Sequence, residues 1–342
     1  MLKTAVVILN WNGKKYLEQF LPTLIRNTQN PNTKIIIADN NSTDGSINFL
    51  NSNYPDLQQI IFDKNYGFTE GYNKALNQIN AEYFVLLNSD IEVSENWLTP
   101  LIDLLDSDST IAACQPKIRS YHNKDYFEYA GAAGGFIDKF GYPFCRGRIL
   151  NKIEKDSGQY NDEKDIFWAT GACMVIRAEL YKKVNGLDDD FFAHMEEIDL
   201  CWRIKNMGYR IVYSPNSIVY HVGGGTLPND SPFKLYLNFR NNLFLLYKNL
   251  PKRNFLPVLL SRMILDGFSA IMFILKLSFK SFFAVLKAHI HFYQSLKKLR
   301  VKRKELLNNK IQKYHQETYP KSIVLNYFLK NKKQFTDLTF NN

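Results

Sequence analysis

The first 115 residues alternate between short apolar runs and stretches with helical apolar spacing, and this alternation limits the fold more than any other feature. Buried strands are predicted at residues Thr4–Asn10, Lys34–Asp39, Gln59–Phe62 and Tyr83–Leu87. Helices are predicted to follow them at residues Lys14–Thr28, Thr43–Leu50, Thr69–Ile79 and Trp97–Leu105. The pattern predicts an α/β fold with a mainly parallel central sheet, in which ligands bind beyond the carboxyl ends of the strands.

The rest of the body repeats strand and helix patterns less regularly. The predicted elements are a strand at Trp168–Arg177, a helix near Ala178–Val184, strands at Arg210–Tyr213 and Ser217–His221, and an amphipathic helix over residues 233–249. Four cysteines are scattered without a CxxC pair, which argues against a disulfide framework or a zinc ribbon. The apolar run at the N-terminus is too short for a secretory signal, so we predict a reducing, cytoplasmic location.

Charge and hydrophobicity separate residues 251–342 from the body. This region contains 18 Lys and Arg against 4 Asp and Glu, although the whole chain has a net charge of only +10. Residues 255–294 are rich in Leu, Ile, Phe and Met, but the longest uncharged run, Gly267–Leu275, is far shorter than the roughly 20 residues of a spanning helix. We interpret them as two amphipathic helices lying on a membrane surface.

The segment KKLRVKRK, residues 297–304, follows these helices and favours anionic lipid headgroups. The alternative is a packed helical hairpin followed by a solvated basic helix. No recognised nucleic-acid motif accompanies the positive charge, so nucleic acid is not an expected partner.

Polar residues follow the predicted strands where the topology places a ligand. Asp39 can accept a hydrogen bond from a base or a ribose hydroxyl, or it can cap a turn. Asp90 can hold a divalent cation that bridges two phosphates, and His221 can complete the metal shell, although either can also be structural. The turn after the first strand reads NWNGKK. It lacks both GxGxxG and a Gly-rich phosphate loop, so neither a nicotinamide enzyme nor a nucleotidyltransferase is favoured.

Residues 191–203 read FFAHMEEIDLCWR and concentrate three acids within four positions. A metal site, a solvated helix face and a catalytic base with its supports all fit this stretch alone. If a helix begins at Glu196, Asp199 and Arg203 can pair at i, i+4. Glu197 is turned about 100° from Glu196 and can point into a cleft.

Seven short segments together resemble a known family. VVILNWNG, ADNNSTDGS, NYGFTEGYNKAL, LLNSDIEV, WATGACMVIR, GLDDDFFAHMEEIDLCWR and YHVGGGT occur in the order found in family 2 glycosyltransferases, which are inverting enzymes with the GT-A fold. The resemblance covers about residues 4–250 and is greatest to the rhamnosyltransferase-like members of bacterial surface-polysaccharide synthesis. It implies a catalytic domain over residues 1–250, with a nucleotide-binding half at 1–115 and an acceptor-binding half at 116–250. Residues 251–342 would form a helical, membrane-associating extension.

The resemblance also implies roles for individual residues. Those expected to bind the nucleotide sugar are Asn10, Asp39, Asp44, Asn65, Gly67, Asn73, Asn88 and Asp90. Those expected to bind the acceptor are Trp168, Thr170, Gly171, His194 and Glu196. Glu197 would be the general base, Asp90 and His221 would bind Mg²⁺ or Mn²⁺, and Arg240 would face a phosphate. Asn88 stands where the family's DXD motif has its first acid.

The implied reaction is transfer of a sugar, with rhamnose as the first candidate, from a nucleotide-diphospho-sugar to a glycan hydroxyl. The acceptor would be a lipid-linked or growing cell-surface glycan, and the enzyme would be peripheral on the inner face of the cell membrane. One base deprotonates the acceptor, and a divalent cation stabilises the departing diphosphate. The alternative is a catalytically inactive, membrane-bound scaffold in a polysaccharide assembly complex. Asn88 permits that alternative, whereas the retained acids and His221 argue against it.

Overall fold

The computed structural model describes residues 1–223, 231–308 and 315–340. The elements of the first half are β1 (Leu2–Asn10), α1 (Lys14–Asn27), β2 (Thr33–Asp39), α2 (Ser46–Asn53), β3 (Gln58–Ile61), α3 (Gly67–Asn77), β4 (Ala81–Leu87), β5 (Ile91–Val93) and α4 (Thr99–Ser107). The elements of the second half are β6 (Ile111–Ser120), β7 (Gly135–Asp138), β8 (Pro143–Cys145), β9 (Arg148–Ile149), β10 (Lys152–Ile153), β11 (Lys164–Asp165), β12 (Cys173–Arg177), α5 (Ala178–Lys183), α6 (Glu196–Asn206), β13 (Arg210–His221) and α7 (Pro232–Asn249). The C-terminal region adds α8 (Phe255–Leu275), α9 (Phe279–Asn308), β14 (Thr318–Tyr319) and α10 (Ile323–Leu329).

The predicted α/β fold is confirmed, because every strand and helix predicted for the first 115 residues is present. Helix α2 begins at Ser46 rather than at the predicted Thr43. The Asp44 carboxylate accepts hydrogen bonds from the backbone and hydroxyl of Ser46, and Gly45 has a φ of 82°. This left-handed residue interrupts the helical pattern that the sequence suggests over residues 43–45.

The central sheet has the strand order β11-β13-β6-β12-β4-β1-β2-β3, with β5 paired to β13. The pairs β1–β2, β1–β4 and β2–β3 are parallel, whereas β12 runs antiparallel to both β4 and β6. Two clusters of buried apolar residues include side chains from the strands and from the helices packed against them. The parallel half brings the carboxyl ends of β1, β2 and β4 to one edge.

Two predicted strands differ from the observed ones. The strand predicted at Trp168–Arg177 begins only at Cys173. Before it, the backbone of Thr170 donates to the Gln115 side chain and the Thr170 hydroxyl accepts from Ala172, so these side-chain bonds take the place of ladder bonds. The strands predicted at 210–213 and 217–221 form the single strand β13, which shifts register against β6 between Ser214 and Ile218.

A second sheet, with the order β10-β9-β8-β7-β14, involves the C-terminal region directly. Strand β14 pairs in parallel with β7. Beyond it, the rings of Phe335 and Phe340 pack on Phe136 with centroid distances of 4.8 and 5.4 Å. Part of the predicted extension therefore completes the core of the second half.

Helices α8 and α9 form a hairpin, and α8 turns a charged pair inward. The buried residues of α8 include Arg262 and Asp266, which form an ion pair with a Nε–Oδ1 distance of 2.7 Å. The opposite face exposes large apolar side chains, namely Leu256, Leu260, Ile264, Phe268, Ile271, Met272 and Leu275. By length and composition alone, residues 252–275 are also sufficient to cross a membrane, a possibility that counting uncharged runs missed. The two charges that interrupt the apolar run are the members of this ion pair.

The basic segment 297–304 is divided between the protein and solvent. Lys298 forms an ion pair with Asp190, Lys302 with both Asp188 and Asp190, and Arg303 donates to the carbonyl oxygen of Tyr247. The remaining basic residues, Lys297, Arg300 and Lys304, are exposed. The prediction that the whole segment serves lipid headgroups was therefore too broad, because charge counting does not reveal internal acidic partners.

Candidate active site

Asn10 and Asp39 meet at the ends of β1 and β2, which pair in register. The buried Asp39 carboxylate accepts from the Asn10 side-chain amide at 2.8 Å and from the Ser42 backbone at 2.8 Å. Oδ1 of Asn10 is buried and has no hydrogen-bond partner among the described residues. A Cβ at Gly13 would lie 2.4 Å from that oxygen, so a residue with a side chain would displace it. Asp39 thus stabilises its turn, as the alternative interpretation proposed, and its contact with a nucleotide stays a prediction.

Other residues predicted to bind the nucleotide sugar join elements around this edge. Asp44 accepts from the Lys14 backbone at the start of α1 as well as from Ser46, and these bonds outweigh burial and lower its pKa. Oδ1 of Asn65 accepts from the Gly67 backbone at 2.7 Å and from the Asn40 side chain at 3.0 Å. Both side chains therefore have architectural partners, and their contribution to nucleotide binding stays a prediction.

Gly67 and Asn73 connect helix α3 to the loop before α6. Gly67 has a φ of 73°, and a Cβ there would lie 2.9 Å from the ring of Phe192. The Asn73 side chain binds both the backbone N–H and the carbonyl oxygen of Leu187, the hydroxyl of Tyr181 and the carboxylate of Asp189. The nucleotide half is thus tied to the segment that carries the predicted base. Since the Asn73 amide is fully engaged, any effect it has on nucleotide binding would act through this loop.

Asp90 and His221 are brought together by the pairing of β5 with β13, in which His221 lies opposite Ile91. Both are buried, and Asp90 Oδ1 lies 3.2 Å from His221 Nε2. On the other side of the ring, Nδ1 lies 3.3 Å from Oε2 of Glu128. Burial opposes protonation of His221, but Glu128 and Asp90 outweigh it and raise its pKa to about 10. Burial likewise disfavours the charged form of Asp90, yet His221 lowers its pKa.

This donor set fits a divalent cation. Asp90 Oδ1 and His221 Nε2 are both suitable donors and lie 3.2 Å apart, and a cation bound by them would displace the proton that the raised pKa of His221 keeps on the ring. Glu128 occupies the position of the carboxylate that commonly orients a ligating imidazole. Within the described residues, no three His, Cys, Asp or Glu side chains converge as a complete shell, so substrate oxygens and water would supply further ligands. Asn88 is partly exposed beside them, and its backbone donates to Ala172.

Glu128 was missed by sequence reasoning. It lies in the interval 116–165, for which no periodicity and no motif suggested a function. A Cβ at Gly223 would lie 2.8 Å from Glu128 Oε1, so the first glycine after His221 leaves room for the carboxylate. Glu128 and His221 become neighbours because the Glu128 backbone donates to Ile118 of β6, which pairs with β13.

The start of α6 concentrates polar atoms without partners. Helix α6 begins at Glu196, as predicted. His194 Nε2, Glu196 Oε2 and Glu197 Oε2 are buried, and none has a hydrogen-bond partner among the residues described. A buried polar atom left unsatisfied costs about 1–3 kcal/mol. Three of them within four positions therefore mark a site that a ligand or substrate would complete.

Burial changes the protonation of these groups. It raises the pKa of Glu197 to about 7. Burial and the neighbouring Glu197 raise the pKa of Glu196 well above its ordinary value. Burial, helped by Lys234, lowers the pKa of His194 to about 4. His194 is thus neutral at neutral pH and the protonated form of Glu196 is favoured, while the pKa of Glu197 is close to the value at which a carboxylate is an efficient base.

Asp199 has the supporting role predicted for it. Its carboxylate binds Arg203 Nε at 2.8 Å, Lys248 Nζ at 2.9 Å and Asn249 Nδ2 at 2.8 Å. Burial disfavours its charged form, but Lys248 and Arg203 lower its pKa. Glu196 has no comparable partner in the described part of the chain, and its acceptor-binding role stays a prediction.

The loop before α6 is backbone-strained and held from α7. Phe192, His194 and Met195 all have φ between 65° and 72°. Each such residue costs on the order of 1 kcal/mol or more, and such strain is concentrated at functional sites. Asn241 donates to the carbonyl oxygens of Phe191, Ala193 and His194 at 2.7–2.9 Å. The pair Arg240-Asn241 therefore fixes this loop.

Arg240, predicted to face a phosphate, donates to the carbonyl oxygens of Asp190 and Phe191 at 2.9 Å. The acceptor-side residues Trp168 and Thr170 are buried. Trp168 donates to the carbonyl oxygen of Phe136 at 3.0 Å. Gly171 lies against Phe68, where a Cβ would approach the ring to 3.1 Å. Acceptor binding by the three residues of this segment stays a prediction.

Comparisons with known proteins identify the family of the chain. The family model for Glycosyl transferase family 2 matches residues 5–184, more than half of the chain. The N-acetylglucosaminyl-diphospho-decaprenol L-rhamnosyltransferase of Mycobacterium tuberculosis is 25% identical over 234 residues, which are 63% of this chain and 75% of the relative. The rhamnosyltransferase WbbL of Escherichia coli is 27% identical over 221 residues, 61% of this chain and 80% of the relative.

Solved structures are similar at the level of the fold. S. aureus TarS in complex with UDP-GlcNAc has a TM-score of 0.56 at 16% identity, covering 100% of this chain and 97% of that one. The mannosyltransferase PcManGT of Pyrobaculum calidifontis with GDP-Man and Mn²⁺ has a TM-score of 0.51 at 13% identity, covering 90% and 84%. The chain belongs to glycosyl transferase family 2 and is a glycosyltransferase with the GT-A fold.

Proposed function

We propose that this glycosyltransferase transfers a sugar, with inversion, from a nucleotide-diphospho-sugar to a hydroxyl of a lipid-linked surface glycan. The observation that carries this proposal is the group of buried, unpartnered polar atoms at the start of α6. Rhamnose is the first candidate donor sugar, because the mycobacterial and E. coli relatives described above are named rhamnosyltransferases. The name of the mycobacterial relative specifies a diphospho-lipid glycan, which supports the same class of acceptor here.

Glu197 is the proposed general base. Its carboxylate takes the proton from the acceptor hydroxyl while that oxygen bonds to the anomeric carbon. The bond between that carbon and the diphosphate oxygen breaks on the opposite face, which inverts the configuration. Glu196 and His194 can bind acceptor hydroxyls, because burial and Glu197 raise the pKa of Glu196 and favour its protonated form, while burial lowers the pKa of His194 to about 4.

Asp90 and His221 are the proposed ligands of Mg²⁺ or Mn²⁺, and Glu128 orients the imidazole. When bound, the cation would stabilise the negative charge of the departing nucleoside diphosphate. The Mn²⁺ in the PcManGT complex supports a divalent cation in this fold. The separation of the two donor atoms is consistent with both binding one ion.

The alternative, an inactive scaffold, is less consistent with the site. An inactive protein has no reason to maintain unsatisfied buried carboxylates at about 1–3 kcal/mol each. It also has no reason to hold three left-handed residues in the adjoining loop.

A donor screen with purified protein tests the proposed reaction. We expect Mn²⁺-dependent transfer of rhamnose from its nucleotide diphosphate to a polyprenyl-diphosphate-N-acetylglucosamine acceptor. Chromatography of the labelled lipid measures this transfer. Asp90→Asn should reduce this transfer at least tenfold, because it removes a charged metal ligand. Transfer of a different sugar would correct the donor assignment alone. Absence of transfer from every nucleotide sugar tested would contradict the enzymatic proposal.

The α8–α9 hairpin is the proposed membrane-binding surface. Its outward face consists of large apolar side chains, and Lys276 and Lys280 lie exposed beside its turn. This combination favours a bilayer with anionic headgroups over water. It supports a peripheral location on the cytoplasmic face of the cell membrane.

Vesicle sedimentation with full-length protein tests this surface. Ile264→Glu should weaken binding to anionic vesicles about tenfold or more. The change replaces an apolar side chain that would insert into the lipid with a charged one. Ile61→Glu is the matched control, since Ile61 is 55% exposed on β3 whereas Ile264 is 60% exposed on α8. Equal partitioning of the two variants would exclude the hairpin as the binding surface.

A further inference from the structure

A cavity of about 330 Å³ lies between α7, α9 and the loop before α6. It is separate from the metal and nucleotide residues described above. Its principal lining residues are Asp190, Arg240, Phe244, His291, Gln294 and Lys298. Its volume lies within the range of small-ligand sites, about 300–1,000 Å³.

The charge in this cavity favours an anion. Arg240 donates only to neutral acceptors, and within the described residues no carboxylate lies within ion-pair distance of its guanidinium. The Asp190 carboxylate, the acid that lines the cavity, is already paired with Lys298 and Lys302. The positive charge of Arg240 therefore has no carboxylate partner among the described residues, and a phosphate oxygen can accept from the remaining N–H of Nη1.

His291 adds a defined hydrogen-bond donor. The hydroxyl of Tyr236 accepts from Arg240 Nη1 at 3.0 Å and lies 2.6 Å from His291 Nδ1. Because that hydroxyl accepts from Arg240, its own proton is available to Nδ1 of a neutral imidazole. The second ring nitrogen, Nε2, then carries the proton and can donate to a ligand.

The exposed face of α9 changes from apolar to polar at this cavity. Phe283, Leu286 and Ile290 form an exposed apolar stripe at helical spacing. Gln294 and Lys298 continue the same stripe one and two turns further. A ligand with an apolar chain and an anionic head matches this order, whereas a free anion would use only the polar end.

We propose that this cavity binds the diphosphate of an isoprenoid-linked acceptor and that the isoprenoid chain lies along the apolar stripe of α9. The inference rests on the proposed function, because it places the lipid-linked acceptor of that reaction. Arg240 contacts the loop that runs through Phe191 to the start of α6, and it also lines the cavity. A diphosphate held there would lie against the loop that leads to Glu197. The cavity thus explains how the membrane surface and the catalytic base act on one substrate.

Calorimetry with the full chain and a chelator tests the cavity without the metal-dependent donor site. We expect farnesyl diphosphate to bind wild-type protein more tightly than inorganic diphosphate, and farnesol to bind more weakly than farnesyl diphosphate. Gln294→Glu should weaken binding of farnesyl diphosphate about tenfold or more, because it places a carboxylate beside the ligand's charge. The exposed Gln294 is preferred to Arg240, whose removal would also release the loop before α6.

Gln316→Glu is the matched control, because Gln316 is exposed and lies outside the cavity lining. Equal affinities of the two variants for farnesyl diphosphate would overturn the site. Equal affinities of wild-type protein for farnesyl diphosphate and inorganic diphosphate would overturn the lipid assignment. Sugar transfer is measured separately, so binding at this cavity without any transfer would contradict the proposed function and leave the site standing. Normal sugar transfer together with unaltered binding of farnesyl diphosphate in Gln294→Glu would overturn the site and leave the proposed function standing.

Discussion

Glu197→Gln is expected to lower turnover by about 10²–10⁴-fold, the usual contribution of a positioned general base. The amide keeps the size of the carboxyl group but cannot take the proton of the acceptor hydroxyl. Affinity for the nucleotide sugar should change little, because the proposed donor contacts lie at β1, β2 and β4. Steady-state transfer kinetics and calorimetry with the donor measure the two effects separately.

Glu196→Gln provides the matched control for this variant. Because burial and Glu197 raise the pKa of Glu196 and favour its protonated form, an amide resembles that neutral form. We therefore expect less than a tenfold loss of turnover. If Glu196→Gln were inactive and Glu197→Gln retained near-wild-type turnover, the base would be Glu196.

The pH dependence of Glu197 gives a second readout of the same assignment. Wild-type turnover should increase with pH up to about 7 and then level off, following ionisation of the base. The raised pKa also destabilises the fold above about pH 5, because the unfolded chain loses this proton before the folded one does. Glu197→Gln removes this penalty and should stabilise the protein at pH 8 by about 2–3 kcal/mol. If urea unfolding shows no gain in stability for Glu197→Gln at pH 8, the Glu197 carboxylate does not have a pKa raised by burial.

Local patterns in the sequence were sufficient for the central sheet. Strands β1, β2 and β4 are continuous apolar runs because both faces of the sheet are covered, and such runs are recognisable without tertiary information. The start of α2 and the segment before β12 were misjudged. There, the Asp44 carboxylate and the Thr170 hydroxyl accept hydrogen bonds from backbone N–H groups and determine the backbone conformation, which sequence periodicity does not indicate.

The site was only partly predictable for a similar reason. Asp90, His221 and Glu197 stand in recognisable segments, so the chemistry could be anticipated. Glu128 stands in no such segment, and its proximity to His221 arises from strand pairing. Lys302 is 114 positions away from Asp188, which it binds. Some basic residues that the sequence suggested for lipid binding therefore form ion pairs with the loop that precedes Glu197.

Lys248→Met is expected to destabilise the protein by about 3 kcal/mol at pH 7.5, toward the lower end of the 3–5 kcal/mol cost of breaking a buried ion pair. The Lys248 ammonium is almost fully buried between the carboxylates of Asp188 and Asp199. Methionine keeps the apolar stem but leaves two buried acids with fewer counter-charges. Arg203 and Lys302 still bind these acids, which limits the loss.

The pH dependence of this loss distinguishes the ion network from simple packing. In the wild type, Lys248 opposes the effect of burial and lowers the pKa of both Asp188 and Asp199, so their contribution to stability is present above about pH 4 and lost below it. In Lys248→Met these pKa values rise, and protonation relieves the penalty as the pH falls from 7.5 to 4.5. Lys298→Met is the matched control, because Lys298 is 62% exposed and its pair with Asp190 should contribute less than about 1 kcal/mol. Urea unfolding at both pH values measures these losses of stability. Equal losses in the two variants, or a Lys248→Met loss that persists at pH 4.5, would show that α7 supports the catalytic helix by packing rather than by charge.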